Sequence, residues 1–473
     1  MPAQTGPLAP NAPVPPIADG PRPHTFSVGT LTYDKKGLWV LFFWLMWNDF
    51  SITLLEQVTG LTTILMKDRG ATNSLIAVFG TIGGLMGMWI NPVFSTWSDR
   101  LRTRFGRRRP FLLIATPFFA VSLCAISYMP DLYGYVKTHA GAAAVLAHIP
   151  INGEVLFIGV ASIVSGLFNG VVLAIFSYFY WDVVPEAVLG RFNSIAKIVT
   201  VAAGMVWNFA IIRYAENHIH AVYIGVSSFC LIIYLISVWK VKEGEYPQPE
   251  PRKTKNVFEP IRDYFTDCFS KPFYLWIFIG TLCFQLGNQG TAYQNFYLRY
   301  DLHLDFGATG WIAGIGLMST TIFGVVFGYP AGSMIDRLKP IRVMPVTFFI
   351  WAGLCLISYS YVHDKMSAAI MSSITNINMF IFGVSLGAVT VELFPREKIG
   401  QFCSAQAFFY QTIIMVISPL MIAPFFDWIK FNRAGYIWSA CFYTLAGLIG
   451  VKVYGNWKKK RLAEASLATA EAA

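Results

Sequence analysis

Apolar residues in this chain run in blocks too long for a soluble fold, and each block ends in a short polar or charged stretch. Twelve such blocks lie at roughly 38–65, 73–97, 111–130, 154–183, 192–214, 221–239, 273–298, 309–335, 345–362, 367–393, 402–426 and 435–453. A helix crosses a bilayer with about 20 mostly apolar residues, and a backbone in lipid must be helical or a closed barrel. The blocks far exceed the ten-residue alternating strands of a barrel. The pattern predicts an all-α membrane protein with twelve transmembrane helices.

The polar punctuation repeats. Trp181-Asp182-Val183-Val184-Pro185 runs on to Gly190, Phe192 and Ser194, and Val391-Glu392-Leu393-Phe394-Pro395 runs on to Gly400, Phe402 and Ser404. Ser98-Asp99-Arg100-Leu101 is echoed by Ile335-Asp336-Arg337-Leu338. Duplicated membrane halves with a site at their interface are how secondary transporters are built. Two six-helix bundles are therefore expected, at 38–240 and 273–453. A disordered Pro-rich tail (1–37), a linker (241–272) and a basic tail (454–473) complete the chain. In the linker, Ile261, Tyr264, Phe265, Cys268 and Phe269 fall at helical spacing, suggesting a short amphipathic helix on the membrane surface.

Composition changes the picture only in sign. Apolar residues make up 55% of the chain and charged ones 13%, against about 25% charged in a soluble domain. The net charge of +10 is unevenly placed: with the N-terminus inside, inner segments hold 27 of the 36 Lys and Arg. That is the positive-inside pattern, not a nucleic-acid patch, and it puts both termini in the cytoplasm. No cysteine pair has metal-ligand spacing, no cysteine falls in an outer loop, and no Asn-x-Ser/Thr sequon occurs. A bacterial inner membrane fits. No metal, cofactor or nucleic-acid partner is expected, and the chain is read as a monomer in the bilayer.

The intramembrane polar residues carry the candidate chemistry. On helix 1, Asp49 lies near mid-span, with Thr53, Glu56 and Gly60 on the same face. A carboxyl at that depth is a functional-site candidate by default, and burial suits it to loading and releasing a proton. The alternative is an acid neutralised by Lys197 or a neighbouring amide. Helix 5 has a polar stripe of Asn193, Lys197, Thr200, Gly204 and Asn208, although Lys197 could equally snorkel to the inner surface. Helix 7 offers Gln285, Asn288 and Gln289, helix 4 Asn169 and helix 10 Asn376. Such amides suit a polyhydroxy solute, or simply join helices. At the inner ends, Asp99, Arg100, Asp182, Asp336, Arg337 and Glu392, with Arg104 and Arg107 of the same loop, form a candidate gate whose ion pairs make and break as the inner mouth moves. Positive-inside charge explains the bases but not the symmetric acids.

Twelve spans in two halves with Asp-Arg loops after helices 2 and 8 resemble the major facilitator superfamily. Asn91-Pro92 and the run from Asp99 to Phe111, ending Gly106-Arg107-Arg108-Arg109-Pro110-Phe111, are similar to the glycoside–pentoside–hexuronide:cation symporters, and most like their sucrose-carrier branch. The resemblance implies the major facilitator fold and a sugar substrate. Asn48-Asp49-Phe50 resembles the place where melibiose carriers hold a sugar-binding aspartate, and their helix-4 sugar aspartate falls near Ser177. Their two cation-coordinating helix-2 aspartates fall at Gly87 and Asn91, which cannot supply that charge, and a further helix-4 aspartate falls near Gly166. Proton coupling is expected instead.

The resulting expectation is a secondary active transporter performing proton-coupled symport of a small sugar or glycoside. Asp49 and Glu56 would couple; Asp49, Asn169, Ser177, Lys197, Gln285, Asn288, Gln289 and Asn376 would bind substrate. Export or exchange of another solute is the alternative. An embedded enzyme or receptor is disfavoured, since no metal-binding His/Glu spacing, Gly-x-Ser-x-Gly or Walker-type phosphate loop is present.

Overall fold

A computed structural model describes residues 25–28, 30–101, 103, 106–139, 151–244, 268–394 and 399–472. It contains twelve long helices: α1 (Lys35–Asp68), α2 (Asn73–Arg100), α3 (Arg109–Lys137), α4 (Gly153–Val183), α5 (Leu189–Val206), α6 (Ile219–Lys240), α7 (Pro272–Phe296), α8 (Phe306–Leu338), α9 (Pro340–Tyr361), α10 (Lys365–Leu393), α11 (Ile399–Ile417) and α12 (Ala434–Ala472). Three continue through a π turn: α5 at Trp207–Ile211, α7 at Tyr297–Asp301 and α11 at Ser418–Ile422. Beyond these turns, α5 adds Ile212–Glu216 as 3-10 helix and α11 adds Ala423–Ile429. Ten of the helices are long and apolar enough to cross a membrane. Large apolar side chains such as Val325, Tyr329 and Leu420 stand exposed along them, as a bilayer requires and water would not allow.

The helix ends follow from local chemistry. Asp34 caps α1 through the Gly37 N–H, Thr72 caps α2 through Leu75, and Asp364 caps α10 in a reciprocal box with Ser367. Each satisfies donors that a helix start leaves unpaired. Most helices run a few residues past the expected apolar blocks at one or both ends, into polar turns. Thus α12 runs helically to Ala472, through the segment read as a tail. An antiparallel hairpin, β1 (Thr25–Val28) with β2 (Leu31–Asp34), occupies the end of the tail expected at 1–37. Phe26, Leu31 and Tyr33 alternate along it and pack onto the core of the first half. The amphipathic helix expected after Pro260 lies mostly outside the described residues. Cys268 is fully buried, and Phe269 packs on Phe278 and Phe409.

Helices α1–α6 pack mainly among themselves, as do α7–α12. The first half shares one continuous apolar core from Leu38 to Val241, tied by buried bonds such as Thr62 to Tyr223 at 2.7 Å. The second half is divided into several smaller clusters. The halves meet through α5 on α8 and α2 on α11. An even number of crossings brings α1 and α12 to start and end on one face, the termini face. The α1–α2, α5–α6, α7–α8 and α11–α12 connections lie on the far face.

Candidate functional site: a cavity closed at one face

A cavity of about 470 Å³ lies between the halves, walled by α1, α5, α7, α8 and α10. Its polar lining is almost all neutral: Gln57 and Asn208 from the first half, Thr291, Gln294, Asn295 and Asn376 from the second. Arg299, at the far-face end, is the one charged side chain among the described lining residues. The volume falls within the range of small-molecule sites.

The far face is shut by two matching contacts between halves. Glu216, at the end of α5, accepts from both guanidinium nitrogens of Arg299 at 2.9 and 3.0 Å and from the Phe306 N–H at 3.1 Å. Asp427, at the end of α11, accepts from the Asn73 and Ser74 N–H groups at 2.8 Å each and from the Ser74 hydroxyl at 2.5 Å. Each acid thus meets the start of the opposite half's helix, α8 or α2. Helix starts favour negative charge because their N–H groups are unpaired and the dipole is positive there. Tyr300 adds a bond from its hydroxyl to Asp68 at 2.8 Å.

On the termini face the described bonds of Asp182 and Glu243 lie within the first half. Arg107 donates to Asp182 at 2.5 and 3.1 Å, and Arg108 donates to it at 3.1 Å and to Ser98. Glu243, just past α6, accepts the N–H groups of Arg107, Arg108 and Arg109 at 2.7, 3.0 and 2.8 Å. Burial pushes the Glu243 carboxyl above its ordinary range, opposed by those N–H bonds. Its oxygens fill the space beside Gly106, whose φ of +105° suits only glycine. Arg337 and Glu392 form no ion pair among the described residues. The side chains of Asp99, Arg100, Arg104 and Asp336 lie outside the described set.

Other sequence candidates are distributed over three environments. Asp49 is partly buried, with the Tyr180 hydroxyl 3.4 Å from its Oδ1 and no partner at its Oδ2. Beside it, fully buried Asn48 has both amide atoms unpartnered, as is the Tyr234 hydroxyl. Unpartnered buried atoms so grouped are the kind that internal water satisfies. Lys197 is exposed on α5, within electrostatic reach of Glu56. Asn169 lines a separate pocket of about 180 Å³ inside the first half, with Thr59, Ser162 and Ser165. Ser177 is exposed and returns its hydroxyl to Leu173 O at 2.8 Å. Gln285 accepts from Asn288, which accepts from Tyr443, each at 2.8 Å, so this pair joins α7 to α12. Gln289 is half-buried nearby. Of the amides singled out on α4, α7 and α10, Asn376 lines the cavity; Gln294 and Asn295, two turns beyond Asn288, were missed although they continue the same polar run. Glu216 and Asp427 carried no signal beyond being single acids in short loops.

Two helical bundles around a shared cavity, bridged among the described residues by contacts at the far face, have the architecture of a membrane carrier. The profile of the Major Facilitator Superfamily matches residues 38–419, and the chain belongs to that family. Among relatives, mouse "Proton-associated sugar transporter A" is 30% identical over 110 residues, 23% of this chain and 14% of that protein. "Sucrose transport protein SUC3" of Arabidopsis thaliana is 26% identical over 76 residues, 16% of this chain and 13% of that one. The matched stretches thus span a small part of either relative. Among solved structures, a D-xylose-proton symporter aligns with TM-score 0.55 at 14% identity, covering 87% of this chain and 95% of the other. A bacterial homologue of ferroportin in the inward-facing state aligns at 0.60 and 13%, covering 87% and 97%. These likenesses concern the fold. The chain is a multi-pass membrane transporter, not an enzyme.

Proposed function

We propose that this transporter is a proton-coupled symporter of a small sugar or glycoside, working by alternating access in a cell membrane with both termini in the cytoplasm. The observation that carries the reading is the cavity shared by both halves and lined by neutral amides and hydroxyls. Such a lining matches a neutral polyhydroxy solute, and the weak but consistent likeness to sugar carriers supports the same class. In this reading, with both termini cytoplasmic, the contacts that bridge the halves at the far face belong to an inward-open state. Asp49, one carboxylate oxygen unpartnered, loads a proton in one state and releases it in the other, linking the gradient to the conformation. Glu56, within electrostatic reach of Lys197, assists coupling in this reading, and Lys197 contributes to substrate binding.

The termini-face gate closes in the opposite state. Asp99, Arg100, Arg104, Arg107, Asp182 and their counterparts Asp336, Arg337 and Glu392 pair across the halves there. Reversing charge at Asp99 or Asp336 then favours the inward-open state, read as greater labelling of single cysteines in that mouth. Counterflow of labelled sugars in proteoliposomes tests the function. Neutral sugars are expected to exchange, and uphill uptake to need a pH gradient, fall with a protonophore and ignore Na⁺ replacement. Counterflow of other solutes alone would favour the exporter or exchanger reading. Strict Na⁺ dependence would reject proton coupling.

A further inference from the structure

Two cavity amides are held in the same unusual way. Asn208, at the α5 π turn, donates its Nδ2 to Gly204 O, one turn back on its own helix, at 2.8 Å. Asn376, on α10, donates its Nδ2 to Ser372 O, again one turn back, at 2.9 Å. An amide has two donors on nitrogen and an acceptor on oxygen. Tethering one N–H of each to its own helix fixes the amide and leaves its acceptor oxygen for a ligand, beside the second N–H. Both residues line the central cavity, one from each half.

Both are seated by one helix. A methyl group on Gly310 of α8 would lie 2.5 Å from the main-chain carbonyl oxygen of Asn208, and one on Gly316 would lie 2.6 Å from Asn376 Nδ2. The backbone of α8 is therefore pressed against the main chain at Asn208 and against the side-chain amide of Asn376. Arg299, the only described lining charge, is engaged by Glu216. Among the described lining residues no other charged group is there to neutralise an ionised ligand.

We propose that Asn208 and Asn376 are specificity-determining residues that read hydroxyl donors, each accepting an O–H from one neutral polyhydroxy substrate and so joining the halves through it. The proposal rests on the sugar reading above and adds which atoms select. A hydroxyl can donate to these oxygens; a fluorine in its place cannot, though it keeps nearly the same size.

Binding of sucrose and maltose to the purified full-length protein, and of their monodeoxyfluoro derivatives one position at a time, tests this. In wild type, fluorine at the two read positions is expected to weaken binding about three- to tenfold, the range of one neutral hydrogen bond. Asn208→Ala should abolish the penalty at one position and Asn376→Ala at the other. Glucuronate and glucosamine should not compete. Should the fluorinated sugars bind wild type as well as their parents, or the charged sugars compete equally, the hydroxyl-reading role is overturned while sugar transport stands. Binding of neither sucrose nor maltose to wild type would remove the sugar reading and this role with it. The ligand-side substitutions need no variant to fold.

Discussion

The far face and the termini face carry similar charges arranged to opposite effect. On the far face, Glu216 and Asp427 each cross from one half to the other and end on a helix start. On the termini face, Asp182 and Glu243 stay within the first half, gathering three consecutive arginines of one loop. Charges that bridge the halves can hold one side closed; charges inside one half hold the shape of that half.

Removing the internal network should have the largest effect on stability. Asp182→Ala removes the carboxylate that Arg107 and Arg108, the latter only 4% exposed, share. Losing one partner of such a buried pair costs about 3 kcal/mol. Thermal unfolding in detergent should show a fall in Tm of several degrees, with the far face still closed. An unchanged Tm would place the arginines' stabilisation elsewhere.

The latch variants should act on conformation instead. Glu216→Gln with Asp427→Asn weakens charge-assisted bonds worth about 1.5–3 kcal/mol each, and the pair is doubly represented by pseudo-symmetry. Spin-label distances between the start of α2 and the end of α11 should lengthen or broaden, while Tm moves little. Distances as narrow as in wild type would mean that the α5–α8 and α2–α11 packing alone holds the closure. A smaller effect is expected for Arg337→Gln and Glu392→Gln. Neither residue forms an ion pair between the halves among the described residues, so stability should change by less than about 0.5 kcal/mol. If they pair only in the opposite state, transport rate changes while the resting distances do not.

The contrast also marks what the sequence could disclose. Twelve spans are legible because each apolar block is long enough to cross lipid, and the duplicated acid-x-x-Pro segments reveal the two halves. The hairpin before α1 is harder to see, since Phe26, Leu31 and Tyr33 are too few to stand out from a Pro-rich tail and are ordered only by the core they meet. The α7 amides show the limit of periodicity. It places Gln285 and Asn288 on a polar face, but their neighbour is Tyr443 of α12, whereas Gln294 and Asn295 reach toward α12 and the cavity. A helix face is local information; what it meets depends on the other helices. Glu216 and Asp427 were illegible for the same reason, becoming latches only where the far ends of α5 and α11 meet the opposite half. The stripe on α5 was better read, and its last member, Asn208, does line the cavity.

The most direct measurement of function is substrate-driven proton movement in proteoliposomes carrying wild type or Asp49→Asn. An inward gradient of a transported sugar, with no pH gradient applied, should acidify the lumen in step with sugar entry for wild type. Asp49→Asn should still exchange labelled sugar but move no protons. Sugar entry by wild type without acidification, or acidification that persists in the asparagine variant, would contradict proton symport through Asp49.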